Sequence, residues 1–220
     1  TSTYAGADVN NYSFTSQATT TANIDKKSVT LTAPSVTKAY DGLTTYTVTA
    51  ANLASIGSTL VGGDTVTAAT ITYADKNVGV NKAVDVNVVL SGADASNYAL
   101  SSTRVQGNFG AITQLASVTW VGAANGGRWS NASNWLNGAL PDGSNVAQVI
   151  IPTGVNVLFD SALVGQVNSN IVNSGTITFN GVNNFDFNSH VSGAGSIVQS
   201  GLGVLTISGN NSFTGNLNIN

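Results

Sequence analysis

The last thirty residues, Val191 to Asn220, restrict the fold more than any other stretch. They read VSGAGSIVQSGLGVLTISGNNSFTGNLNIN: three short apolar runs, SIV, VLTI and NLNI, separated by turns of Gly, Asn and Ser. Counting back from Leu217 in tens meets Ile207, Ile197, Phe187, Ile177, Val167 and Val157. A ten-residue block holds one short strand and one turn, so this register predicts a parallel stack in which each coil covers the apolar residues of the coil below. One coil alone cannot bury its inward face, and the arrangement is stable only as a stack. Two blocks per coil place Ile177, Ile197 and Leu217 in one column and Val167, Phe187 and Ile207 on the opposing wall.

The front of the chain carries a longer repeat. Gly6-Ala7-Asp8 and Asn11-Tyr12 return as Gly92-Ala93-Asp94 and Asn97-Tyr98, 86 residues later, and YSFTSQATTTANI resembles YALSSTRVQGNFGAI. Self-similarity at a fixed offset marks tandem domains. Residues 1–24 therefore read as the closing strands of a preceding copy, and one full copy runs over 25–114. Within it Val29, Leu31 and Ala33 alternate, as do Tyr46, Val48 and Ala50, and Val84, Val86, Val88 and Leu90. Period two is the mark of strands with one buried face. Turn signals at Asp41-Gly42, Gly62-Gly63-Asp64, Asp75-Lys76-Asn77 and Gly92-Ala93-Asp94 divide the runs. The copy reads as all strand, an immunoglobulin-like β-sandwich with a small barrel as the alternative. Gly42, Gly63 and Gly92 are expected in turns.

Four motifs in this copy, KAYDG (38–42), VGGDTV (61–66), YADKNVG (73–79) and LSGAD (90–94) with Asn97-Tyr98, resemble the YDG repeat. That module occurs in filamentous-haemagglutinin-like adhesins of Gram-negative bacteria, giant surface or matrix proteins commonly exported by two-partner secretion through an outer-membrane β-barrel. The resemblance implies a spacer module without catalytic residues. Residues 191–219 resemble the autotransporter-associated β-strand repeat, with SGNNSFTG (208–215) as the most specific part.

Between the two lies a tryptophan cluster. Trp120, Trp129 and Trp135 are the chain's three tryptophans, in a pattern similar to segments that begin solenoid stretches in the same adhesin class. The first coil of a stack has an open apolar end, and aromatics burying roughly 150–250 Å² each are suited to closing it. Residues 115–148 thus read as a Trp-rich linker and cap, and 149–220 as a parallel β-solenoid.

Charged residues make up 8% of the chain, with a net charge of −3, far below the roughly 25% of ordinary globular domains. The five Lys and two Arg are scattered, giving no electrostatic footprint for nucleic acid. No apolar run approaches the ~20 residues of a membrane span. With no Cys there is neither a disulfide framework nor a thiolate metal site. No starting Met or signal peptide is present, and the chain stops in mid-pattern, as a piece of a longer protein would.

Catalytic chemistry finds little purchase. The lone histidine, His190, adjoins Ser189, but neighbours on a strand point to opposite faces. Glu is absent, and residues 150–220 hold only Asp160 and Asp186 as acids and no Lys or Arg, too little for a polysaccharide-cleaving site. Asp41, Asp64, Asp75 and Asp94 lie in turns where calcium would bind, although Asp also favours turns for its own hydrogen bonds. Lys38, Lys76 and Lys82 are candidates for a Lys–Asn cross-link, with no partner legible. N-x-S/T sequons stand at Asn11, Asn131 and Asn210. Trp129 and Trp135 are the candidate platform for a glycan.

The leading expectation is a non-enzymatic stalk segment of a large extracellular adhesin at the bacterial surface or in the biofilm matrix. It would have neighbouring repeats, its own copies, exopolysaccharide or cell-surface glycans as partners. The alternative is a carbohydrate-binding module using Trp129 and Trp135.

Overall fold

The structure, a computed structural model, describes residues 5–15, 20–91, 94–159 and 167–220. It is mostly β-strand with little helix.

Among the described residues, 25–114 form seven strands, one α-helix and a 3₁₀ turn. The strands are β1 (Lys27–Val29), β2 (Val36–Ala39), β3 (Thr45–Tyr46), β4 (Ala68–Tyr73), β5 (Gly79–Val89), β6 (Tyr98–Leu100) and β7 (Arg104–Thr113); the helix is α1 (Ala50–Ile56). Five of the strands make one sheet in the order β2-β7-β5-β4-β3, and β1 pairs with β6. Within the sheet β2 runs parallel to β7, while β3, β4, β5 and β7 pair antiparallel in succession. One face of β4 and β5 is buried through Ile71, Tyr73, Val84, Val86 and Val88, and the alternate residues Thr70, Asp85 and Asn87 face outward, as period two requires. Val29, Tyr98 and Ile56, from β1, β6 and α1, belong to the same core.

The helix corrects the all-strand reading. The alternation through Tyr46, Val48 and Ala50 ends at Tyr46, because Thr49 and Asn52 form a capping box that starts α1. An immunoglobulin-like sandwich asks for two packed antiparallel sheets. The described residues instead give one mixed sheet, a helix and a parallel strand pair. Gly42 and Gly63 have φ of +78° and +87° and sit in turns; Gly92 lies outside the described residues.

The 86-residue repeat is visible in backbone form. A single 3₁₀ turn spans Val9–Asn11 and another Ala95–Asn97, with Asp8 and Asp94 at φ −104° and −98° before them and Tyr12 and Tyr98 at ψ 142° and 143° after. Their surroundings differ: Tyr98 is buried, whereas Tyr12 is 69% exposed.

Gln114 alone separates β7 from β8 (Leu115–Thr119). Among the described residues ten further strands come after it: β9 (Asn125–Arg128), β10 (Val146–Ile151), β11 (Asn156–Phe159), β12 (Asn170–Asn173), β13 (Thr176–Phe179), β14 (Phe185–Phe187), β15 (Val191–Ser192), β16 (Ser196–Gln199), β17 (Leu205–Ile207) and β18 (Leu217–Ile219). They build sheets β15-β12-β10-β8, β18-β16-β13-β11-β9 and β14-β17, and every ladder among them is parallel. One column aligns Gly127, Val157, Ile177, Ile197 and Leu217, another Val118, Val149, Ile171 and Val191, and a third Phe187 and Ile207. From Val157 onward the partner lies 20 residues away, as 177 − 157, 197 − 177 and 217 − 197 show. The first step is longer, 30 residues from Gly127 to Val157, and holds Trp129 and Trp135.

Glycines mark the tightness of the 20-residue step. A Cβ on Gly195, Gly201, Gly203, Gly209 or Gly215 would run into the backbone carbonyl of the residue 20 earlier. Of the seven residues in the ten-step register, Val157, Val167, Ile177, Phe187 and Ile197 are buried, Ile207 is partly buried and Leu217 is 51% exposed on the edge strand β18.

Candidate functional site

The signature motifs of residues 25–114 sort to two ends of the sheet. Strand β4 ends and β5 begins at 73–79, the end where β2 also stops and β7 leaves toward β8. At this exit end Lys38 stitches the turn after β2: its Nζ donates to Asp41 Oδ1 at 2.6 Å and to the carbonyls of Leu43 and Thr45 at 2.8 Å each. Asp41 also accepts from the Leu43 N–H, the local bond that makes Asp a turn former. In the β4–β5 turn Asp75 Oδ1 accepts from the Asn77 N–H and Lys82 Nζ; the Lys82 bond, with the backbone donor second, holds its carboxyl below the usual range.

The opposite, entrance end joins the other two motifs. The Tyr98 hydroxyl donates to Asp64 Oδ2 at 2.5 Å and lies within hydrogen-bond reach of both the carbonyl and the N–H of Val61. The Asp64 carboxylate keeps the phenol protonated and raises its pKa. Asp94 accepts from its neighbour Asn97.

The four turn aspartates are thus spread over separate turns and engaged by donors, two of them by lysine. Asp75 and Asp94 are exposed. Among the described residues no three His, Cys, Asp or Glu side chains gather as metal ligands would. Of the candidate cross-linking lysines, Lys38 pairs with Asp41, Lys82 with Asp75 and Lys76 with Asp142. Ser189 and His190 point apart: Ser189 is buried with its hydroxyl on the Val167 carbonyl, and His190 Nδ1 meets the Asn210 carbonyl. Asp186 accepts from the Ser208 hydroxyl, and Asp160 lies outside the described residues.

The tryptophans correct the glycan reading. Trp129 is 0% and Trp135 1% exposed, so neither presents a ring face on which a sugar would stack. Instead the rings pack edge to face: Trp120 on Trp135 at 5.1 Å and Trp135 on Trp129 at 4.7 Å. The column continues from Trp129 to Phe159, Phe179 and Phe187, each step 4.9 to 5.0 Å. The indole N–H of Trp135 donates to the Trp129 carbonyl and that of Trp129 to the Pro141 carbonyl, so the buried donors are satisfied.

Pro141 belongs to a loop, 138–145, that also meets the exit end of the first unit. Tyr40, 1% exposed, donates its hydroxyl to the Leu140 carbonyl at 2.8 Å and approaches Asp142 Oδ1 at 3.3 Å. Lys76 Nζ donates to Asp142 Oδ2 at 2.7 Å. The buried Asn145 accepts from the Val78 N–H through Oδ1 and donates through Nδ2 to Asn77 and Asp142. Burial, and then the Asp142 charge, push the Tyr40 pKa far up. These contacts bridge 66 to 102 positions of sequence, and spacing carries no signal for them.

No curated protein and no solved structure matches the chain. The family comparison ends within β7, nine residues before the boundary read from the repeat: residues 25–105 are a YDG domain.

Proposed function

We propose that this chain is a non-catalytic stalk segment of a large secreted bacterial adhesin of the filamentous-haemagglutinin-like kind, spacing a binding region from the cell or linking cells within a biofilm matrix. In this reading residues 1–24 close a preceding YDG unit, 25–114 are the complete one, 115–148 cap the first coil of the stack, and 149–220 are a parallel β-solenoid of autotransporter-repeat type. Export by two-partner secretion and an extracellular location go with the same proposal.

The observation that carries it is the 20-residue parallel register, whose cost-free extension along one axis is the property a spacer needs. The YDG domain has the same directional character: its chain enters through β1 beside β6 at one end and leaves through β7 at the other. Accessible surface supports an extended particle. The chain exposes 12506 Å², against roughly 9,400 Å² for a compact protein of its mass, part of the excess coming from residues 5–15 and 20–24, nearly all of them exposed.

Small-angle scattering tests the reading. A compact chain of this length has a radius of gyration of roughly 17 Å. A clearly larger value with an elongated distance distribution is expected; a value at that of a sphere counts against a stalk.

A further inference from the structure

The four YDG motifs divide their labour unevenly. The two at the entrance end bond to each other, Asp64 and Val61 to Tyr98. The two at the exit end each bond within their own turn and also reach out of the domain, to loop 138–145. Tyr40 takes the Leu140 carbonyl, Lys76 takes Asp142, and Asn77 and Val78 take both ends of the Asn145 amide. Gly42 belongs to the same contact: a Cβ there would stand 2.8 Å from the Gly138 carbonyl oxygen.

The loop is held equally from its other side. Trp129 donates to the Pro141 carbonyl, the Asn168 N–H to the Gly143 carbonyl and the Leu115 N–H to the Asn145 carbonyl, while Gln114, the last residue of the first unit, donates Nε2 to the Ser144 carbonyl. Its successive carbonyls are therefore shared between the YDG domain and the parallel stack. Asn145 is 5% exposed: its side-chain amide bonds Val78 and Asn77 of the YDG domain and Asp142 of its own loop, while its backbone carbonyl takes the Leu115 N–H of the stack.

We infer that the exit end of the YDG domain is a docking surface for the 138–145 loop of the next unit along the chain, and that this contact makes the two units fold and unfold as one body. The partner it fits is a turn that offers an acidic side chain to Lys76, a carboxamide to the Asn77–Val78 backbone and side chain, and a backbone carbonyl to the Tyr40 hydroxyl. The YDG turn thus serves as the joint of the chain, in place of the flexible bead-to-bead linker that a string of independent domains would have. The inference stands apart from the stalk reading: it fails on unfolding transitions, that reading on particle shape.

The aromatic residues give each side its own signal. All three tryptophans lie after residue 115 and all six tyrosines precede residue 99. Denaturant unfolding of the whole chain is monitored by tryptophan fluorescence and by second-derivative tyrosine absorbance. Coincident midpoints are expected. Gly42→Ala and Gly63→Ala form the decisive pair. Both put Ala at a positive φ, +78° and +87°, a strain of roughly five- to thirty-fold in the folding equilibrium. Only Gly42 faces the loop, since nothing lies within 4 Å of a Cβ on Gly63. Gly63→Ala is expected to lower both midpoints together, and Gly42→Ala to separate them, the tyrosine signal changing first. Wild-type midpoints that differ, or a Gly42→Ala protein that unfolds like Gly63→Ala, would overturn the inference. Lys76→Met repeats the test without backbone strain. It is expected to shift the tryptophan-detected equilibrium by roughly two- to five-fold, although Lys76 lies over forty positions before the first tryptophan. An unchanged tryptophan signal counts against the joint.

Discussion

At the scale of single residues, glycine in the stack answers to spacing more than to turn angle. Strands in a ladder lie roughly 4.8 Å apart, and where a bend brings one backbone onto the bend beneath, a side chain has no volume to occupy. Gly195 lies over Gly175 in this way, and its Cβ would overlap that carbonyl and the Asn173 side chain. Gly181 meets only the Asn183 carbonyl, at 3.9 Å. Gly195→Ala is therefore expected to cost about 1–3 kcal/mol by overpacking, and Gly181→Ala to be neutral or to stabilise by about 0.4–1 kcal/mol through the unfolded state. Urea midpoints of the two variants check the contrast, and equal effects would show that the bends are not in contact.

Three tyrosines carry a second residue-scale prediction. Burial raises the pKa of Tyr40 and Tyr73, and the hydrogen bond to Asp64 raises that of Tyr98. Each holds its proton more firmly folded than unfolded. Their contribution is intact below the ordinary value of 10.0 and is lost as pH climbs above it, because the unfolded chain releases its protons first. Stability is expected to be level from neutral pH to about 9 and to fall beyond about 10. Tyr40→Phe lowers stability at pH 7 through the lost bond to Leu140 and makes the alkaline decline shallower; an unchanged slope would show that Tyr40 titrates normally.

At the scale of elements, Ile197 on β16 is the sharpest probe. It is 0% exposed and aligned between Ile177 and Leu217. Ile197→Asp puts an unpaired charge in that column and is expected to cost roughly 3–5 kcal/mol. Leu202→Ser, at a residue 91% exposed, is expected to change little. Ser208, outward-facing by alternation, is a poor control, because its hydroxyl donates to Asp186 and an aspartate there would meet a like charge. Thermal melts of the two variants suffice, and equal melting temperatures would remove Ile197 from the core.

How much of this is legible in the chain depends on how local each cause is. The strands β16, β17 and β18 are legible because alternation and turn residues act within ten positions. Helix α1 is not, since AANLASI has two useful apolar residues, Leu53 and Ile56, and its start rests on a Thr49–Asn52 capping box in which Asn stands where Glu or Gln is usual. The tryptophan cluster is visible as a cluster, and its burial is one of two readings that the sequence leaves open. The Tyr40–Leu140 and Lys76–Asp142 contacts are invisible, because no periodicity links residues in different units.

At the scale of the whole molecule, a stack of parallel steps is held together by nearest neighbours, so local stability depends on how many sides of a strand are covered. Strand β13 lies between β11 and β16, with Ile177 fully buried, and its column continues into the Trp129–Phe159–Phe179 aromatic packing. Strand β18 is paired on one side only, and all three of its residues are exposed, Ile219 at 77%. β17 stands between these extremes, with Ile207 partly buried. Amide hydrogen exchange should therefore be graded along the stack, slowest in β10 to β13, faster in β17 and fastest in β18, with about ten- to a hundredfold between the ends for a difference of roughly 1.4–2.7 kcal/mol in opening free energy. The gradient distinguishes a stack from a single globular core, in which strands of one sheet would exchange together through global unfolding. Uniform protection from β10 to β18 would mean that the steps do not open one after another from the edge.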